Sequence, residues 1–293
     1  MSEITEFTIE ELREHAPTLI IPAHWQRWIW IADLHGGSPV GLTPYPTNEF
    51  QQALLKRYDD SIAWYYANYG QPHVCVVVGD PTEGVDQKLD IQDHSIISQY
   101  QNAAEAICLW NASEEYIIIT GTKVHTHLQH QQLEEILADK IKLVSQDWYG
   151  TTPIVSVRRK LKTRVNSWFE VQARHFISRS VIPHGRFTAP ARSQMWEIMN
   201  SALRSFNKKE PAKWADLLMF GHAHYYTRTD NGYGETVILP SWKAIGDKFG
   251  DEICDGHIDI GCVGTFISDE DEKQWILRKR LYEASVISRT ENR

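Results

Sequence analysis

Five short segments of the chain end in acids or imidazoles: "IADLH" at Asp33 and His35, "VVVGDPTEG" at Asp80, "GTKVHTH" at His125 and His127, "VQARH" at His175, and "LLMFGHAH" at His222 and His224. Asp33 and His35 are two apart, so an extended backbone can aim both at one point. The set mixes carboxylate and imidazole and contains no thiolate. Such ligands suit Mn, Fe, Zn or Ni rather than a structural zinc finger. Two metals about 3.5–4 Å apart need a shared ligand, and a carboxylate supplies one. Taken singly, each segment reads as a turn with a polar residue. "GHAH" carries more weight, because two histidines directly after "LLMF" are costly to bury unpaired. Glu83 and Asp86 are candidates to orient a ligand histidine.

The elements that must hold these residues are also visible. "RWIWIAD", "HVCVVVGD", "EYIIITG", "WFEVQARH" and "ADLLMFGHAH" are short apolar runs rich in Val, Ile and aromatics, which predicts strands buried on both faces. Helical patterns separate the first three, over about 47–69, 91–110 and 128–143. Thr47 or Asn48 is the N-cap of the first and Gly70 its stop. Strand–helix–strand alternation predicts a largely parallel sheet, with ligands beyond the carboxyl ends of its strands. The stretch "TTPIVSVRRKLKTRVNSWFEVQARH" is a candidate for strands of a second sheet. "APARSQMWEIMNSALRSF" predicts a helix, and "GETVILPSW", "HIDIGCVGTFIS" and "KQWILRKRLYEA" predict strands between Gly and Asp turns. The expectation is two packed sheets flanked by helices, with residues 1–25 as an N-terminal extension and 26–293 as one domain.

The 293 residues carry a net charge of −8, which argues against a broad basic surface for wrapping nucleic acid and leaves room for a local basic groove. The four cysteines show no CxxC pairing and read as reduced, pointing to the cytoplasm. There is no signal peptide pattern at the start and no apolar run of membrane length, so no membrane partner is expected. The eleven tryptophans read as core and groove packing.

In this order, "DLH", "GDPTEG", "GTKVH", "ARH" and "GHAH" resemble the motifs of the calcineurin-like metallophosphoesterase superfamily, over about residues 28–265. The segment "RHFISRSVIPHGRFTA" resembles a branch common in phages and prokaryotes, with GTxxH in place of GNH. The resemblance implies an α/β fold of four layers, an αββα sandwich. It implies that Asp33, His35 and His224 hold one divalent metal ion, that His175 and His222 hold a second, and that Asp80 bridges them. Manganese is the first expectation, with Fe, Zn or Ni as alternatives. It implies a phosphoester hydrolase acting through a metal-bridging hydroxide. The departure lies in the third motif. Thr122 stands where the family carries an asparagine ligand, and Lys123 where it carries histidine. His125 is the candidate to fill that role at the metals or to act on the phosphate as catalytic acid, with His127 its rival; His127 and His130 otherwise read as polar residues opening a helix. Arg186 and its neighbour His184 are candidates to bind substrate, since Arg presents a planar fork of donors. The substrate expectation is a phosphodiester, nucleic acid or nucleotides included. The basic segment "SVRRKLKTRVNSW" is a candidate backbone contact or else a solvated face. The alternatives are a phosphomonoesterase and a non-catalytic metal-binding scaffold of the same fold. Oligomeric state is not legible.

Overall fold

A computed structural model describes residues 21–85, 91–128, 131–178, 180, 182–208, 213–245, 258–268 and 273–283. Its first sheet is built from β1 (Gln26–Ile31), β2 (Val74–Val78), β3 (Glu115–Ile119), β6 (Ile154–Arg158), β12 (Asp259–Ile267) and β13 (Trp275–Glu283), in the order β13-β12-β1-β2-β3-β6. β1, β2, β3 and β6 are parallel, and β12 and β13 extend the sheet antiparallel. The second sheet holds β7 (Leu161–Arg164), β8 (Glu170–Arg174), β9 (Leu217–Phe220), β10 (Thr227–Asp230) and β11 (Glu235–Ile238), in the order β10-β11-β9-β8-β7. Its middle strands β8, β9 and β11 are parallel. A short hairpin, β4 (His127–Leu128) and β5 (Gln131–Gln132), lies outside both sheets.

Strand alternation sorts the apolar residues into three cores. On one face of the first sheet, Ile29, Cys75, Val77 and Ile118 meet Leu54, Tyr58, Tyr100, Ile107 and Leu137. These come from helices α1 (Glu49–Tyr69), α2 (Ile96–Cys108) and α4 (Glu134–Tyr149). Its other face sends Trp30, Val76, Val78 and Ile117 against Val171, Leu217 and Met219 of the second sheet. Leu218, Phe220 and Ile238 point outward, towards Ala189 of helix α5 (Thr188–Lys208). The result is helices, sheet, sheet, helix, the four-layer α/β architecture expected.

Local chemistry sets the helix ends. Asn48 caps α1 by accepting from the Gln51 amide at 2.9 Å, and Gly70 ends it at φ 79°. Ser95 caps α2, later than the expected start near 91. The third expected helix is displaced. α3 is a four-residue turn (Lys123–Thr126), the hairpin intervenes, and α4 begins at Glu134 rather than at 128. The basic stretch also divides otherwise than expected. Its first half, β6, joins the first sheet beside β3, and β7 joins the second. Residues 1–20 of the expected extension lie outside the described residues, while Trp25 belongs to the first core at 3% exposure. Cys75, Cys108 and Cys262 are buried free thiols. Cys254, Asp86 and His130 lie outside the described residues. Among the described residues no helix is long and apolar enough to cross a membrane.

Candidate metal centre

The carboxyl ends of the parallel strands of both sheets converge. Asp33 and His35 follow β1, Asp80 follows β2, Thr122 and His125 follow β3, His175 follows β8, and His222 and His224 follow β9. Backbone hydrogen bonds stitch these ends together: Asp33 N–H donates to Gly79 O, His35 N–H to Asp80 O, and Gly221 N–H to His175 O. Close approach needs residues without a Cβ. Gly79 has φ 78°, and a Cβ there would overlap the His175 imidazole; a Cβ at Gly121 would overlap Asp80.

Two groups of ligand atoms result, each within 4.8 Å: Asp33 with His35 and His224, and Asp80 with His175 and His222. The groups touch each other. His175 Nε2 lies 2.9 Å from Asp80 Oδ2 and 3.9 Å from Asp33 Oδ1, and the His222 amide donates to Asp33 Oδ2 at 2.9 Å. A third group joins His35, Glu83 and His125. His125 Nε2 is 4.0 Å from Asp80 Oδ2, and its ring meets that of His35 edge-on at 4.6 Å between centroids.

The histidines are held in one orientation. His35 Nδ1 is bound to Glu83 Oε2 at 2.8 Å, His175 Nδ1 to Val78 O at 2.8 Å and His125 Nδ1 to Glu83 O at 2.6 Å. Each acceptor assigns the proton to Nδ1 and turns Nε2 inward. His35 Nε2 and His224 Nε2 face each other at 3.3 Å. Asp33 Oδ1 is buried and has no partner of hydrogen-bond geometry among the described residues, with imidazole nitrogens at 3.3 and 3.9 Å. Lone pairs converging on a shared centre fit divalent cations, and a mixed N/O donor set suits transition metals.

Backbone conformation marks the same residues. Of the seven described non-glycine residues with positive φ, five are Asp33, His35, Asp80, His222 and His224. Such left-handed positions cost ~1–3 kcal/mol each and gather at functional sites.

Electrostatics follow from burial and proximity. Burial opposes charge on Asp80, yet His175 and then His125 hold its carboxyl well below the usual range. Asp33 is lowered by His224 and His175 against the same burial. Burial also opposes charge on His175, but Asp80 and Asp33 raise it to about 9. Burial and then the His175 charge push His222 down to about 4. Burial, Lys243 and His125 keep His35 neutral, well below its ordinary value.

Neither a family model nor a curated protein matches the chain. Solved structures similar to it include a single mutant of Vps29 from Entamoeba histolytica, at 14% identity and a TM-score of 0.40, covering 88% of this chain and 99% of that one. Others are an archaeal phosphodiesterase (10%, TM-score 0.36, 88% and 100%) and zinc-complexed Vps29 from Entamoeba histolytica (11%, 0.38, 87% and 99%).

The remaining sequence candidates fall as follows. Thr122 occupies the expected asparagine position and donates to Asp80, from its amide at 2.7 Å and its hydroxyl at 3.1 and 3.2 Å. His127 lies in the hairpin rather than at a helix start. Arg186 stacks its guanidinium 4.6 Å from the Tyr225 ring, next along the chain from His224. His184 lies in the 3-10 turn Pro183–Phe187, where its backbone alone is described. Lys243 was not legible. It is 1% exposed and donates to both oxygens of Glu83 at 3.1 and 3.2 Å, so Glu83 links a buried ammonium to His35. Its only signal is a lysine between Trp242 and Ala244 in an apolar loop, a place where lysine needs a partner.

Proposed function

We propose that the chain is a metal-dependent phosphodiesterase of the calcineurin-like metallophosphoesterase type. The observation that carries this reading is the pair of ligand groups in mutual contact, Asp33/His35/His224 and Asp80/His175/His222. In this reading Asp33, His35 and His224 hold one divalent cation, His175 and His222 hold another, and Asp80 is shared. When bound, the two cations lower the pKa of a water and offset charge on the phosphoryl oxygens. The protein's part is positioning. Glu83 and the Val78 carbonyl fix imidazole tautomers, and Thr122 donates to Asp80 instead of ligating. His125 is 11% exposed at its side chain, more open than His35 or Asp80, and turns Nε2 towards Asp80. With a proton on Nε2 as well as on Nδ1, it meets the substrate, hydrogen-bonding a phosphoryl oxygen or protonating the leaving oxygen.

The test is a panel with Mn(II): bis(4-nitrophenyl) phosphate, 4-nitrophenyl phosphate, single-stranded DNA and RNA, alongside metal analysis of the reconstituted protein. Close to two ions per chain and faster cleavage of the diester are expected. Asp80→Asn lowers kcat/KM by at least ~100-fold, beyond the ~10–100-fold typical of residues that only support ligands. Metal uptake with no turnover of any ester would favour the scaffold alternative.

A further inference from the structure

Beside the Asp/His centre runs a groove that the site's chemistry does not use. It lies between the outer face of β8 and β9 and helix α5, with a main volume of about 500 Å3 lined by Arg174, Phe176, Arg192, Trp196 and Asn200. A smaller volume of about 130 Å3 continues it past Lys160 and Phe220. The combined size suits a small-molecule site (~300–1,000 Å3). Two of its lining residues, Arg174 and Phe176, border the centre. Arg174 precedes His175, and the Phe176 ring lies 4.8 Å from that of His222, tilted by 37°.

Two features of the lining point to one kind of ligand. The first is charge. On a chain of net charge −8, Lys160, Arg174 and Arg192 face this groove. Burial lowers the pKa of Lys160, and Arg174, Lys162 and Arg204 add to that fall against the opposing Glu197. Glu197 is the one carboxylate among the lining residues, and it is engaged by Gln172 at 2.7 Å and Arg204 at 3.4 Å. Three cations, Lys160, Arg174 and Arg192, against this single carboxylate leave the lining with a positive excess. The second is exposed aromatic surface. Phe176 is 62% and Trp196 55% exposed, so both rings offer open surface along the groove. Alternating cations and open aromatic faces are the chemistry of single-stranded nucleic acid, where backbone phosphates meet Arg and Lys while unpaired bases stack. A duplex keeps its bases stacked and offers no face to Trp196.

We propose that this groove binds single-stranded nucleic acid, with bases on Trp196 and Phe176 and phosphates on Arg174, Arg192 and Lys160, feeding the adjoining phosphodiester to the Asp/His centre. The proposal rests on the phosphodiesterase reading for its outcome but not for its measurement, because binding is read without turnover.

The experiment is fluorescence anisotropy of the full chain with Mn(II) and a labelled, hydrolysis-resistant phosphorothioate oligothymidylate of ~10 nucleotides, titrated at several salt concentrations. Wild-type affinity falls steeply with salt. Trp196→Ala weakens binding at least ~5-fold at every salt concentration with the slope unchanged, and Trp196→Phe recovers most of the loss. Arg192→Ala lowers the slope of log affinity against log salt by ~0.7, and Arg192→Lys restores it. Both side chains are exposed, so melting temperatures stay at the wild-type value and report that the fold is intact. Salt-independent binding, wild-type binding by both alanine variants, or equal affinity for duplex DNA would overturn the proposal. So would competition by inorganic polyphosphate that leaves Trp196 without effect, which would reduce the groove to an anion site. Failure to cleave bis(4-nitrophenyl) phosphate sinks the catalytic reading alone and leaves the anisotropy result standing.

Discussion

His125 and His127 are two residues apart, yet the chain treats them differently. The glycine and threonine after β3 let the backbone turn at once into α3, which returns His125 over Glu83 and sends His127 into the hairpin. His125→Ala is therefore expected to lower kcat by ~100-fold or more with metal content preserved, the loss typical of an acid–base group; His127→Ala should stay within a few-fold. The reverse order would reassign the role. The titrations give a second prediction. With no metal bound, His175 is charged up to about pH 9, whereas His222, at about 4, and His35 are neutral at pH 7. A cation at His175 must displace that proton. Apparent affinity for the ion there should rise about tenfold per pH unit across neutral pH up to about 9 and then level. Calorimetry in buffers of different ionisation enthalpy should find one proton released rather than three. The metal-free fold shows the linked sign: the His175 folded pKa is raised, so its stabilisation is complete below ~6.5 and fades as pH rises through about 9. At this scale the aspartates and histidines were legible because acids and imidazoles after apolar runs are conspicuous. Lys243 was not, since its meaning comes from Glu83, 160 residues away.

Elements carry the site by ending where they do. The parallel strands were legible because β1, β2, β3 and β9 are continuous apolar runs, and doubly buried strands have little else to be. β6 and β7 were harder to place. Their alternating charges fit either sheet, and only pairing with β3 or β8 separates them. The start of α4 was misjudged for a local reason, since a two-residue pairing in a polar stretch leaves no periodic signal. The strand ends also set a steric demand. Gly79→Ala and Gly121→Ala place a methyl group into His175 and Asp80, and Gly79 adds a left-handed φ. Each is expected to destabilise the protein by about 1–3 kcal/mol and to reduce bound metal, read by denaturant unfolding and metal analysis. Gly232→Ala is the control for conformation alone. It also has positive φ, 80°, but open space around it, so it should cost stability and leave metal content unchanged.

At the scale of the molecule, the centre ties two sheets whose facing sides are otherwise joined by apolar packing. Candidate ligands come from both, Asp33, His35 and Asp80 from the first and His175, His222 and His224 from the second. A metal bound there would therefore act as a clamp between layers. At about a thousandfold excess over its dissociation constant an ion adds ~4 kcal/mol to folding. Chelation should lower the melting temperature on the order of 10 °C without splitting the transition; a shift confined to one phase would mean that the sheets unfold separately. The four layers were readable from strand and helix order, whereas the groove under α5 was not, because it depends on how that helix seats against β8 and β9. The backbone angles at the centre have one more consequence. Relaxing Asp33, His35, Asp80, His222 or His224 to glycine would suit each angle better, so drift in a lineage with no use for the centre has a ready route to sturdier chains. Five non-glycine side chains held at these angles thus mark the centre as the place where the fold gives up backbone ease to keep a full set of nitrogen and oxygen donors.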